Sequence, residues 1–320
     1  LPALPIRGSR ARDDRPFARY NRTGLSATDR PQPGFLARKT PMRSAQAEHF
    51  DVAVVGSGFG GSVSALRLTE KGYRVAVLES GRRYDASTYA RTSWNLRKFL
   101  WMPSLGLRGI QRLDLLPDVL VLSGAGVGGG SLVYANTLIE PHDAFFDDRQ
   151  WRGITDWKAE LAPYYARARR MLGATVAPAT TPADDVMRAV ARHFGDEAGL
   201  TPTDVGVYFG EAGIDAPDPY FGGAGPARTG CLECGGCMVG CRYNAKNTLD
   251  LNYLYLAEQH GARVFADSRV VDIERIDGGY RLATRRPGAW VRRRQRTLTA
   301  DQVILSAGAL GTTRLLLDLK

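Results

Sequence analysis

Apolar positions first cluster at 52–55, a short run that ends in Gly56, Gly58 and Gly61 and predicts a strand feeding a tight turn. Small and apolar residues at Ser64, Ala65, Leu66 and Leu68 then predict a helix over 60–71, stopped by Gly72 in a left-handed cap, and 74–78 predicts a second strand. Farther on, Leu161, Tyr164, Tyr165, Ala168 and Leu172 fall near helical spacing and predict an amphipathic helix with its basic residues outward. Asp184 and Asp185 stand where a helix start favours acids. Toward the end, 262–285 reads as strands joined at Asp277-Gly278-Gly279, and 302–317 reads as a buried strand, a small-residue turn and a helix start.

The glycines between the first strand and helix carry chemistry. Gly56 makes the turn, Gly58 lets backbone approach a pyrophosphate beside Phe59, and Gly61 lets helix pack close to strand. The phosphates then meet free N–H groups at the helix N-terminus. Glu79 ends the second strand 18 residues after Gly61, where an acid accepts from ribose hydroxyls. The plainer alternative is a glycine turn in an ordinary βαβ unit, and position alone does not choose between NAD and FAD.

Residues 119–139 run 21 positions without a charge, long enough to span a bilayer, yet five glycines in their middle predict a backbone loop around a ligand instead. Composition changes little: 320 residues with 44% apolar and 24% charged positions are ordinary for about two globular domains. The net charge of +10 is mostly local, because 1–41 carry nine Lys and Arg against three Asp and so hold +6 of it. That Pro- and Arg-rich stretch reads as a disordered basic tail; Asp13 and Asp14 argue against a transit peptide, and no apolar run resembles a signal peptide. The expectation is a cytoplasmic protein with reduced thiols and no nucleic-acid partner.

The first turn together with "SGAGVGGGSLVYANTL" at 123–138 resembles the cholesterol oxidase branch of the glucose-methanol-choline (GMC) oxidoreductase family, in which such a run crosses the flavin and pyrophosphate of FAD. Gly128, Gly129, Gly130 and Ser131 match that run, and consecutive glycines independently suit a nest of N–H groups for an anion. The resemblance implies an α/β fold: an FAD-binding Rossmann-like domain with an inserted α+β substrate domain, truncated at the C-terminus. Its parts are expected at 1–48 (tail), 49–138 (FAD-binding, first part), 139–230 (substrate domain, first part), 231–249 (cysteine-rich) and 250–320 (FAD-binding, second part). It also implies that Val270 contacts adenine and that Ala307 and Gly308 turn at the flavin. Where the branch usually reads Asn-Gly-Gly, this chain has Tyr134-Ala135-Asn136, so the contact under the flavin ring falls to Tyr134 backbone or to Asn136.

The implied reaction oxidises a secondary alcohol of a sterol or other bulky apolar substrate to a ketone, with oxygen or another electron acceptor taking the electrons. The family's catalytic His and Asn belong to a C-terminal part beyond Lys320. His49, His142, His193 and His260 sit in polar company and read as surface or capping residues, so no catalytic residue is assigned. The alternatives are a GMC dehydrogenase passing electrons through an iron-sulfur cluster, an NAD-dependent dehydrogenase, and a non-catalytic flavin-binding fragment.

All the cysteines lie in "CLECGGCMVGC": Cys231, Cys234, Cys237 and Cys241, spaced as in the bacterial ferredoxin run. An iron-sulfur cluster is the leading expectation, with zinc or free thiols in a structural turn as alternatives. Finally, 91–112 interleaves Trp94, Phe99, Trp101 and Leu105 with Arg97, Lys98, Arg108 and Arg112. It reads as a loop packed over the flavin by its aromatics, or as a contact for an anionic membrane or a sterol.

Overall fold

The computed structural model describes residues 47–289 and 295–319, so the expected tail lies outside the described residues except for its last two positions. Strand β1 (Glu48–Val55), helix α1 (Phe59–Thr69) and strand β2 (Val75–Leu78) form the predicted unit. Alternation along the strands decides what each side chain meets. Val52, Val54, Val75 and Val77 join Ala65 and Leu66 of α1 and Leu254 and Ala257 in one core. Ala53, Val55, Ala76 and Leu78 face the opposite core with Leu282, Leu298 and Leu315. Burial of both faces explains why these strands read as unbroken apolar runs.

The main sheet has six strands in the order Arg263–Phe265, β2, β1, Gln295–Leu305, Gly279–Arg285, Arg269–Ile276. The first four are parallel and the last three form an antiparallel meander. Gln295–Leu305 belongs to both parts: its first half pairs with the meander, while Gln302 to Leu305 lie beside Val52 to Val55. The chain thus returns from the meander to the end of the strand that precedes the first glycine turn. This mixed α/β sheet is the Rossmann-like architecture expected.

Several local expectations change. Helix α1 stops at Thr69, short of the predicted end, although Gly72 takes the left-handed φ of +87°. Within 119–139, Leu120–Gly124 is a strand paired with Gln111–Leu115, and Gly129–Leu132 is a single tight turn. Among the described residues, no helix is long and apolar enough to cross a membrane. The predicted helices appear as Trp157–Met171 and Pro182–His193, the second with a Thr181–Asp184 capping box. Tyr164 departs from the expected apolar stripe and is exposed among the described residues. In 91–112 the aromatics divide: Trp101 is buried, whereas Trp94 is 88% exposed and Leu105 also faces outward.

Candidate functional site

Three turns meet at the carboxyl ends of β1 and β2. Gly56 adopts φ +101°, and a Cβ there would stand 2.4 Å from Ser306 O and 2.9 Å from Ala307 Cα. Ser306 N–H in turn donates to Val55 O at 2.8 Å, which stitches the returning strand's turn to the first one. A Cβ on Gly61 would fall 2.0 Å from Gly56 O, so the helix can sit this close only without a side chain. The second glycine run closes the third side: a Cβ on Gly129 would lie 2.7 Å from Gly58 Cα, and Gly128 N–H donates to Ser57 Oγ at 3.1 Å. Gly58 itself faces open space, as does Gly308. Gly58 is also the N-cap of α1 with no side chain capping it, so the helix start presents free N–H groups to that opening.

Glu79 is brought to this place but is already occupied. Its Oε2 accepts from Ser57 N–H (3.1 Å) and Ser57 Oγ (2.7 Å), and its Oε1 from Gly81 N–H (2.8 Å) and Ser80 Oγ (3.2 Å). A carboxylate offers about four acceptor positions. A ribose hydroxyl therefore has to replace a serine hydroxyl there, and in the structure Glu79 organises the turn. Val270 lies nearby: Ser268 N–H donates to Glu79 O at 2.7 Å, and a β-bulge follows Val270 before Asp272.

The residues after the second glycine run separate by what they have left to offer. Ser131 is buried and spent, donating to Gly128 O (2.7 Å) and accepting from Leu249 N–H (3.0 Å). Both roles of its hydroxyl are filled by backbone, which leaves its place in the run as what it offers a cofactor. Tyr134 N–H donates to Gly130 O, its carbonyl accepts from Lys246, and its hydroxyl donates to Asn247 O at 3.1 Å. Burial, with the charge of Cys237 second, pushes the Tyr134 phenol well above its ordinary pKa. Asn136 is different: 4% exposed, in left-handed φ (+69°), with Oδ1 buried and unpartnered. Of the two residues the sequence left open, Asn136 holds the unspent polar group. Phe59, half exposed, stands edge-on to Tyr134 at 6.1 Å.

The four cysteines are unpaired, with Cys234 exposed and the others half-buried. Glu233 N–H donates to Cys231 Sγ (3.3 Å) and Ala245 N–H to Cys241 Sγ (3.4 Å). Burial and the neighbouring thiols push the Cys231 thiol up. Beneath them lie two cations invisible to sequence reasoning. Lys246 and Arg228 are each 1% exposed and have no carboxylate within ion-pair distance among the described residues. Lys246 Nζ donates to Leu132 O (3.1 Å), Tyr134 O (2.8 Å) and Cys237 O (2.9 Å); Arg228 donates to Asn244 O (3.0 Å) and Lys246 O (2.7 Å). Burial lowers the Lys246 pKa to about 8 and lowers that of Arg228. Ser57 and Ser306 also escaped notice, although Ser57 lies inside the glycine motif. The four histidines are exposed, as expected of surface residues.

Comparison with known proteins fits this geometry. Residues 54–100 match the NAD(P)-binding Rossmann-like domain, and residues 227–318 match the family described as GMC oxidoreductase. A cholesterol oxidase of Mycobacterium tuberculosis is 56% identical over 277 residues, covering 85% of this chain and 48% of the relative. The chain belongs to the GMC oxidoreductase family. A cholesterol oxidase of Acinetobacter baumannii is 44% identical over 281 residues, 85% of this GMC chain and 50% of the relative. A solved formate oxidase shares the fold, with a TM-score of 0.51 at 17% identity over 84% of this chain and 47% of that one. The chain thus spans about half the length of the curated relatives it matches.

Proposed function

We propose that this chain forms the cofactor frame of an FAD-dependent oxidoreductase that converts a secondary alcohol of a sterol-like or other bulky apolar substrate to a ketone. The observation that carries this reading is the open space over Gly58, walled by the first glycine turn, the second glycine run and the Ser306–Ala307 turn. Its chemistry suits a dinucleotide: free helix N–H groups for the pyrophosphate, glycine backbone for a flat ring, and one buried unpartnered acceptor at Asn136 Oδ1. FAD, when bound, supplies the hydride acceptor. The chain's own residues bind and orient. Phe59 and Tyr134 would line a bound cofactor, and Asn136 Oδ1 would offer it an acceptor. The substrate class rests on the cholesterol oxidase relatives, and the exposed Trp94 and Leu105 among basic residues suit an apolar ligand or an anionic membrane. A cytoplasmic setting belongs to the same proposal.

The test uses the natural full-length protein with a 3β-hydroxysterol. The expected result is a flavin absorption spectrum that survives gel filtration, with ketone and peroxide appearing in equal amounts. Turnover only with artificial acceptors would sink the oxidase version, and loss of the yellow colour would favour an NAD enzyme.

A second reading concerns the cysteines. We infer that they ligate an iron-sulfur cluster, supported by the ferredoxin spacing, the N–H···S bonds at Cys231 and Cys241 and the two buried cations, which suit an anionic centre. Zinc fits less well. Zn–S bonds of about 2.3 Å bring tetrahedral ligands to roughly 3.8 Å of one another, yet no three of these sulfurs approach within 4.8 Å together. Anaerobic purification should yield iron and acid-labile sulfide; flavin alone, without iron, would refute the cluster.

A further inference from the structure

Lys246 is a costly residue to bury. An ammonium taken out of water needs compensation, and here no carboxylate supplies it among the described residues. Its three donors are instead spent on three backbone carbonyls, which is its full hydrogen-bonding capacity. Two of those carbonyls, Leu132 and Tyr134, belong to the backbone leaving the second glycine run. The third, Cys237, belongs to the cysteine segment. The ammonium also lies 4.7 Å from the Tyr134 ring centroid, a favourable cation–π distance.

Neighbouring bonds remove slack from this arrangement. Arg228 donates to Lys246 O at 2.7 Å and fixes the lysine's own backbone. Tyr134 Oη donates to Asn247 O, and Gly206 N–H donates to Asn136 O at 2.9 Å. The stretch 132–136 is thus tied at four places, and two of the ties come from one side chain. Asn136 lies two residues beyond the clamped Tyr134 carbonyl. In its left-handed conformation, a small rotation upstream re-aims the unpartnered amide.

We propose that Lys246 is a positioning residue that clamps the backbone carrying Tyr134 and Asn136 to the cysteine segment, so that a change at 231–241 is felt at Asn136. Only the flavin readout below rests on the FAD reading. Lys246 spends all three donors on backbone carbonyls, so it acts through the backbone it holds.

The experiment compares wild type, Lys246→Met and Lys246→Arg in the full-length protein, with metal removed by chelation. Backbone amide hydrogen exchange is followed with and without iodoacetamide treatment of the thiols. In Lys246→Met, amides at 133–138 should exchange roughly ten-fold faster or more, while β1 and β2 keep their protection. Arginine, which keeps the charge and the donors, should restore part of the loss. Alkylation should accelerate 133–138 in wild type and add nothing in Lys246→Met. Visible circular dichroism of bound FAD should move in step with that exchange. Wild-type exchange at 133–138 in Lys246→Met, or an equal alkylation effect in both proteins, overturns the proposal. If Lys246→Met loses β1 and β2 protection as well, wild type decides alone: no alkylation effect at 133–138 refutes the coupling. Absence of flavin with intact exchange coupling would overturn the FAD reading and leave the clamp standing.

Discussion

The turn at 56–61 and the stretch at 132–136 meet where Phe59 stands edge-on to Tyr134, but opposite means hold them. The turn is built by removing atoms, since Gly56 and Gly61 approach backbone so closely that no Cβ fits. The stretch is built by adding charge, through the buried Lys246 and the Arg228 that fixes it. Close packing gives a turn with one conformation. A clamp of hydrogen bonds to a buried cation gives a stretch whose position depends on what happens at Cys237.

The largest effect expected is on the packed side. Gly61→Ala forces a Cβ to within 2.0 Å of Gly56 O and should cost about 3 kcal/mol, with a fall in Tm of roughly 6–12 °C for a domain of this size. Gly58→Ala is the control, because nothing lies within 4 Å of its Cβ and its φ of −71° is ordinary. It should leave the Tm of the cofactor-free protein unchanged and weaken FAD retention by about ten-fold or more, since the new methyl enters the space assigned to the cofactor. Equal Tm losses in the two variants would mean that the opening over Gly58 is not a ligand space.

On the charged side, Arg228→Met removes the two bonds that hold the Asn244 and Lys246 carbonyls, at a cost of about 2 kcal/mol by denaturant unfolding. The loss should be smaller than that from Gly61→Ala, because methionine fills much of the volume and buries no charge. A neutral result would show that the cations contribute little to the fold, and the contrast between the two regions would collapse.

The packed side was legible in the sequence and the charged side was not. Glycine spacing states directly where a Cβ is forbidden, and the period-two division of Val52, Ala53, Val54 and Val55 between two cores follows from their being apolar throughout. Lys246 reads as one more basic residue in a polar stretch, because nothing local tells a buried lysine from an exposed one. Its burial follows from the cysteine segment folding over the second glycine run, a contact between residues more than a hundred positions apart. The choice between Tyr134 and Asn136 failed for the same reason: both are polar, and only tertiary hydrogen bonding shows that the Tyr134 groups are spent and the Asn136 Oδ1 is not. Glu79 shows the opposite case, a motif acid legible in the sequence whose bonds to its own turn were not.

The smallest effect expected tests whether the buried charges near the second glycine run balance one another. Asp250 lies close enough that its Oδ1 would stand 3.3 Å from a Cβ on Gly128, and that oxygen is buried without a hydrogen-bond partner. Burial raises its pKa, opposed by a hydrogen bond from Thr248 and by the more distant Arg83 and Arg228. A carboxyl whose folded pKa lies above its unfolded value holds more protons in the folded state, so its contribution to stability is fully present below the ordinary Asp pKa and is lost as pH rises through the raised one. Wild type therefore carries a penalty for the charge that grows as pH rises above the ordinary Asp range. Asp250→Asn removes it and should raise stability by about 1 kcal/mol at pH 7, roughly 2–4 °C in Tm. That gain should shrink as pH falls toward the ordinary Asp range, where wild type is protonated in both states. A gain that does not change with pH would mean the benefit comes from the amide's new hydrogen bond rather than from relief of charge. A loss at pH 7 would mean that Asp250 already serves as the counter-ion of Lys246 and Arg228, and the clamp would then be an ion network rather than a lone cation among carbonyls.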